Sequence, residues 1–207
     1  MYDLPYYKEK DKQVLLNFMR QHPFAMVIGC TDNLPAVTQI PLLIEERGDK
    51  LFIIGHFMRN TDHHKAFEQN ANVLCVFTGA HTYVSASLYT NPQTASTWNY
   101  ISVHARGIMR FLNHTDLLQA LENLTNHYEQ AHSPAAFHNL PKDYVERLSH
   151  AIIGFEIEVK EMDTVFKLSQ NRDEKSYDNI VSHLKRGEAD AKEIGDTMEK
   201  RRSTLFP

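Results

Sequence analysis

Hydrophobic and polar positions change period several times along the chain, and each change marks a predicted element. In "KEKDKQVLLNFMRQHP", Val14, Leu15, Phe18 and Met19 recur at helical spacing, and Pro23 ends the helix. The apolar run "FAMVIGC" reads as a buried strand and "TDNLP" as a turn. "AVTQIPLLIEE" reads as a second strand, in which Pro41 marks an edge or a bulge because proline has no N–H to offer a neighbour. "ERGD" turns the chain into a third strand, "KLFIIGHF", and "TDHHKAFEQN" follows as a short helix. "NVLCVFTG" and "HTYVSASLY" read as two strands, or as one strand broken near Gly79.

After the loop "NPQTAS", the stretch "TWNYISVHARGIMRF" alternates strictly. Ile101, Val103, Ala105, Gly107 and Met109 face one way, and Ser102, His104, Arg106 and Ile108 the other. Helical spacing returns through Leu117, Leu121, Leu124 and Tyr128, and again in "PKDYVERLSHAI", whose proline suits a first turn. "IIGFEIEVKEM" is a strand with Ile153, Phe155, Ile157 and Val159 on one face. The tail "SYDNIVSHLKRGEADAKEIGDTMEKRR", with Tyr177, Ile180, Val181 and Leu184 as its apolar stripe, is helical and charged. Helices of crossover length do not alternate with the strands. The expected fold is therefore α+β, a mostly antiparallel barrel of about six strands with flanking helices and a helical C-terminal tail. One domain over residues 1–207 is expected, with residues 173–207 as its helical extension.

Composition narrows the classes. Lys plus Arg total 22 against 26 Asp plus Glu, a net charge of −4, which argues against a protein that is mainly a nucleic-acid binder. "HLKRG" and "EKRR" are short basic clusters of the kind that usually sit on solvated surface, so DNA is a candidate partner that no basic patch supports. Cys30 and Cys75 both lie in apolar runs outside any CxxC pair and read as reduced core thiols. No apolar signal core opens the sequence and no run approaches the ~20 residues of a membrane span, so a cytoplasmic protein without membrane contact is expected.

Familiar catalytic signatures are absent: no GxGxxG, no GxxxxGK[ST] and no GxSxG. None of the 12 histidines has HExxH spacing, no metal site is expected, and His63 and His64 read as exposed helix surface. The segment "IIGHFMRNTDHHKAFEQN" is more informative. A strand ends at His56, a polar turn with Arg59 and Asn60 follows, and a helix starts with Thr61 as its cap. Lys65 lies about one turn in. Backbone N–H groups, a hydroxyl and two cations would then converge as a phosphate cradle, although the Asp62 carboxylate competes for the same terminus; an ordinary capped surface helix is the alternative.

With these residues in view, the chain resembles the PaiB family, described as FMN-binding negative transcriptional regulators. The likeness runs through "QHPFAMV", "IPLLIEE", "GHFMRN", "HTYVSASLY" followed by "TWNY", and most specifically "FKLSQNR". It departs at Thr61-Asp62, where the family often reads "NP", and at Lys65, where an arginine is common; lysine holds a phosphate as a point charge, without arginine's bidentate fork. The resemblance implies a split-barrel flavin-binding fold like that of pyridoxamine-phosphate oxidases and flavin reductases, and a homodimer with FMN at the subunit interface. On that reading Trp98 would wall the flavin ring, while Thr97 and Asn99 supply hydrogen bonds. Ser85 and Ser87, at alternate positions of one strand, would reach the same pocket. Lys167, Ser169 and Gln170, with Asn171, would line its polar edge, and Lys167 would favour negative charge on a reduced flavin. His56, Arg59, Asn60, Thr61 and Lys65 complete the expected FMN-binding set. For Trp98 the alternative role is a dimer or core anchor, and for "LSQNR" a capped start to the last helices. A flavin-dependent oxidoreductase is the alternative function, but no acid or base stands out beyond His56, His81 and His104.

Overall fold

Alternation in the sequence becomes one seven-stranded sheet. The strands are β1 (Phe24–Thr31), β2 (Leu34–Pro41), β3 (Leu43–Arg47), β4 (Lys50–Met58), β5 (Asn72–Val84), β6 (Thr97–Phe111) and β7 (Ile152–Lys167). Their order is β2-β1-β5-β6-β7-β4-β3, in a computed structural model that describes residues 1–207. β1 runs antiparallel to β2 and β5, and β4 to β3 and β7. The helices are α1 (Lys12–Gln21), α2 (Asp62–Gln69), α3 (His114–Tyr128), α4 (Lys142–Ser149), α5 (Glu174–Leu184) and α6 (Ala189–Leu205), so the protein is α+β as expected.

Seven strands replace the six expected, and the reason is local. The run "AVTQIPLLIEE" is two strands that meet at Leu42. Pro41 ends the pairing of β2 with β1, opposite Phe24, and Leu43 opens the pairing of β3 with β4, opposite Ile54. Leu42 between them is 1% exposed and donates its N–H to Pro23 O at 2.9 Å. Apolar residues persist on both sides of this corner, so the pattern alone shows no break. In the other direction, "NVLCVFTG" and "HTYV" are one continuous strand, β5.

The turns follow their residues. Asp32 (φ 48°) and Asn33 (φ 63°) form the two-residue loop between Thr31 and Leu34, and positive φ at both positions matches the right-handed twist of the hairpin. Gly48 (φ 65°) opens the equivalent loop between Arg47 and Lys50.

The chain divides into two compact units. One comprises Met1–Phe18, Thr78–Val103 and Asp163–Pro207; the other comprises Met19–Phe77 and His104–Met162. In the first, the C-terminal helices are core elements: Tyr177, Ile180, Ile194 and Met198 are fully buried. The Tyr177 hydroxyl donates to Met198 O at 2.9 Å, and burial pushes its pKa up to about 12. Lys8 pairs with Asp163 at 2.5 Å, Arg201 with Glu9, and Arg202 with Asp178 at 2.6 Å.

In the second unit, Val27, Ile53, Phe77, Phe155 and Ile157 form a fully buried core, and Phe57 stacks on Phe155 with centroids 5.1 Å apart. Gly107 permits the closest backbone approach, since a Cβ there would lie 2.4 Å from Glu158 O. Glu156 on β7 is nearly buried and accepts from Arg47 Nη1 at 2.9 Å and Arg110 Nε at 2.6 Å. No helix is long and apolar enough to cross a membrane.

Two sequence expectations change here. Cys75 is buried and its thiol pKa is pushed up to about 12, but Cys30 is exposed near the β1–β2 turn and is not a core thiol. Strand alternation sends Val27 and Gly29 to one face of β1 and Ile28 and Cys30 to the other. His64 is likewise buried, at 6% exposure, and is not helix surface.

Candidate functional site

The expected site residues fall into one group in each unit. In the unit built on Met19–Phe77 and His104–Met162, β4 ends at Met58, and the turn Arg59-Asn60-Thr61 leads into α2. Thr61 is the N-cap: its Oγ1 accepts from His64 N at 3.4 Å and donates to Met58 O at 2.9 Å. Asp62 Oδ1 accepts from His63 N at 2.8 Å, and this bond and the His63 ring hold its carboxyl below the usual carboxylate range. The α2 terminus is thus largely satisfied by its own side chains. What the segment offers an anion is charge: Arg59 and Lys65 are both exposed and neither forms an ion pair. His56, on β4 opposite Gly154 of β7, is half-buried, and burial lowers its pKa, which favours the neutral ring.

The other unit joins the start of β6 to the end of β7. Lys167 is 6% exposed and donates to Thr97 Oγ1 and to Trp98 O at 2.6 Å. It also lies 6.0 Å from the Tyr2 ring and 5.9 Å from the Tyr7 ring. No carboxylate pairs with it, and burial, followed by the nearby Arg172 charge, lowers its pKa. Asn99 is fully buried; its Oδ1 accepts from Ser169 Oγ at 3.1 Å and its Nδ2 meets Met198 Sδ at 3.5 Å. Ser169 takes a left-handed conformation (φ 60°) where the strand gives way to the loop before α5.

Gln170 closes that loop. Its Oε1 accepts from Leu168 N at 2.7 Å, and its Nε2 donates to Phe166 O at 2.5 Å and Tyr6 O at 3.1 Å. Trp98 itself is 54% exposed, with His81 and Tyr83 each 6.0 Å from its ring. Thr97, Asn99, Lys167 and Ser169 are therefore brought together, and Trp98 joins them through its carbonyl while its ring lies with His81 and Tyr83, on the other face by strand alternation.

The premise for Ser85 and Ser87 is corrected: they do not alternate on a strand. β5 ends at Val84, and Ser85 caps the single 3-10 turn Ala86–Leu88, with its Oγ 2.9 Å from Ser87 Oγ. A strand pattern interrupted by Ala86 between two serines reads as alternation, although serine's local hydrogen bonds favour a turn. Reading the sequence also missed Tyr2, Tyr7 and Arg172. Arg172 lies over the Tyr89 ring at 4.0 Å. Tyr2 and Tyr7 sit in "MYDLPYYKEK", where no periodicity marks them.

In one unit the buried, carboxylate-free amine and the exposed indole offer polar and aromatic groups of the kind a flat ring such as a flavin uses; in the other, the two unpaired cations are of the kind a phosphate uses. A family model described as "Putative FMN-binding domain" matches residues 1–161. The chain is 31% identical over 201 residues to "Protease synthase and sporulation protein PAI 2" of Bacillus subtilis, covering 96% of this chain and 97% of that one. Among solved structures, the flavocytochrome Anf3 from Azotobacter vinelandii superposes with a TM-score of 0.61 at 15% identity, covering 80% of this chain and 72% of that one. The FAD and heme binding protein from Mycobacterium smegmatis gives 0.55 at 16% identity, over 77% of this chain and 72% of that one. These two likenesses show the fold.

Proposed function

The chain belongs to the PaiB family of FMN-binding-domain proteins, and we propose from that premise that it binds FMN on a split-barrel fold, as a homodimer, and acts as a negative transcriptional regulator. The observation that supports flavin binding best is Lys167, a nearly buried amine held by the Thr97 hydroxyl and the Trp98 carbonyl with no carboxylate to neutralise it. Such a group favours a bound ligand that carries or develops negative charge. Bound FMN would supply reversible redox chemistry. Of this chain's residues, Trp98 would serve as an apolar wall and Thr97 and Lys167 as polar contacts in one unit; in the other, taken by itself, Arg59 and Lys65 would serve as partners for a phosphate. Asn99, Ser169 and Gln170 act behind these contacts, since their polar atoms are already spent on one another and on backbone.

The test is titration of the purified protein with FMN and with riboflavin, followed by absorbance. Charge-assisted contacts are worth roughly 1.5–3 kcal/mol each, so Arg59→Ala and Lys65→Ala should each weaken FMN about ten- to hundredfold and change riboflavin far less. If both variants bind FMN like the parent, the phosphate lies elsewhere. Regulation predicts salt-sensitive binding to a promoter fragment, by this protein or with a partner. A second reading, a flavin-dependent oxidoreductase, is favoured by His56, whose burial keeps the ring neutral and able to accept a proton. Rapid bleaching of the flavin bands by NADH or NADPH would select that reading.

A further inference from the structure

We propose that His64 is a positioning residue for phosphate binding: its Nδ1 holds the Arg59-Asn60-Thr61 turn in the conformation that presents Arg59. The proposal rests on the assignment of the FMN phosphate to this turn. Asn60 has φ 64°, a left-handed conformation that asparagine adopts more readily than most residues but still at a cost, which a hydrogen bond to its N–H offsets. Its N–H donates to His64 Nδ1 at 3.0 Å, one helical turn ahead. Accepting at Nδ1 places the ring proton on Nε2.

The ring has little freedom to turn away. It is 6% exposed, packed edge-on against Phe111 at 5.3 Å and tilted against Phe57 at 6.0 Å. Nε2 has no hydrogen-bond partner; Glu68 Oε1, the nearest carboxylate, is 3.7 Å away. A buried donor left unpaired is unfavourable, and an aromatic hydrocarbon would suit these walls better. What histidine adds over phenylalanine is the Nδ1 acceptor, and Asn60 is what it accepts from.

This bond matters because the helix terminus offers little else. Thr61 caps His64 N and Asp62 caps His63 N, so anion binding falls to the Arg59 and Lys65 side chains. Lys65 is carried by the helix, but Arg59 is carried by the turn: its own N–H donates to Ala151 O at 3.0 Å, and the peptide that follows it is the one His64 Nδ1 holds.

The experiment compares His64→Phe, His64→Gln and His64→Asn in the full chain, with FMN and riboflavin titrations and amide hydrogen exchange at Asn60. Asparagine puts an oxygen near the place of Nδ1, whereas glutamine reaches toward Nε2 and phenylalanine has no acceptor. Losing one hydrogen bond that orients a charged contact should weaken FMN about tenfold in His64→Phe and His64→Gln, with riboflavin within about twofold of the parent. His64→Asn should restore both FMN affinity and slow exchange at Asn60. Thermal midpoints separate this pattern from general loss of folding, which would weaken both ligands together. The proposal is overturned if His64→Phe and His64→Gln keep the parent's FMN-to-riboflavin ratio while Arg59→Ala loses it. If Arg59→Ala and Lys65→Ala are themselves without effect, the phosphate assignment fails first and the proposal with it; exchange at Asn60 then reports whether His64 holds the turn at all.

Discussion

Lys167 shows how a single side chain can be poised by what it lacks. Its ammonium meets a hydroxyl, a carbonyl and two aromatic rings, but no carboxylate. Lys167→Met removes a buried charge, which is favourable, and leaves Thr97 Oγ1 and Trp98 O without a donor, which is not. These effects oppose each other, so the thermal midpoint of the flavin-free protein should change little, by less than about 1 kcal/mol in stability, while FMN binding weakens or the flavin's reduction potential falls. The pH dependence has a definite sign. Because the folded pKa is below the unfolded one, the unfolded chain holds more protons between them, and parent stability rises with pH across that window. Any advantage of Lys167→Met at neutral pH should shrink as pH climbs through Lys167's folded value; denaturant melts of both proteins along a pH series check this. At this scale the sequence was partly legible. "FKLSQNR" pointed to Lys167 and Ser169 together. It gave no sign that Gln170 would spend its amide on backbone, nor that His64 would turn inward, because both depend on what the fold places around them.

Elements were more legible than their junctions. Long alternating or helical runs predicted β6, β7 and α3, since burial on one face enforces a single period over many residues. The hand-over at Pro41-Leu42 was hidden because both flanking strands are apolar, and only the missing proline N–H hinted at it. Ser85 and Ser87 misled for the opposite reason, mimicking strand period inside a turn. On β7, Glu156 between Arg47 and Arg110 offers an element-scale test. Burial acts to raise its pKa, but hydrogen bonds from Arg110 and Arg47 prevail and hold it low. A depressed folded pKa contributes stability above the unfolded value, and that stability is lost as pH falls through the folded value. The arginines are 44% and 59% exposed, so solvent screens the pair, and Glu156→Gln should cost about 1–2 kcal/mol near neutral pH instead of the 3–5 typical of a fully buried pair. In urea melts that difference should narrow toward acid. A deficit that stays constant down to low pH would show that packing, not charge, is what Gln disturbs.

At the scale of the whole molecule, apolar groups remain outside the core. Trp98, Tyr83, Tyr2 and Tyr6 are 54%, 51%, 51% and 46% exposed in one unit, and Phe24, Leu34 and Met58 are 59%, 70% and 56% exposed in the other. Surface aromatics in such number favour self-association. Sedimentation should therefore find a homodimer at micromolar concentration; a stable monomer there would remove the shared-site reading of the flavin pocket. The way the units are threaded along the chain has another consequence, for the order of synthesis. All of the second unit has been synthesised once Met162 is added, whereas the first unit gathers three segments, Met1–Phe18, Thr78–Val103 and Asp163–Pro207. Until Ser169 and Met198 emerge, Asn99 has neither of its partners, and until Tyr177, Ile180 and Ile194 emerge the first unit lacks much of its interior. Synthesis in this order is expected to let the second unit assemble while the first stays open until α5 and α6 have emerged.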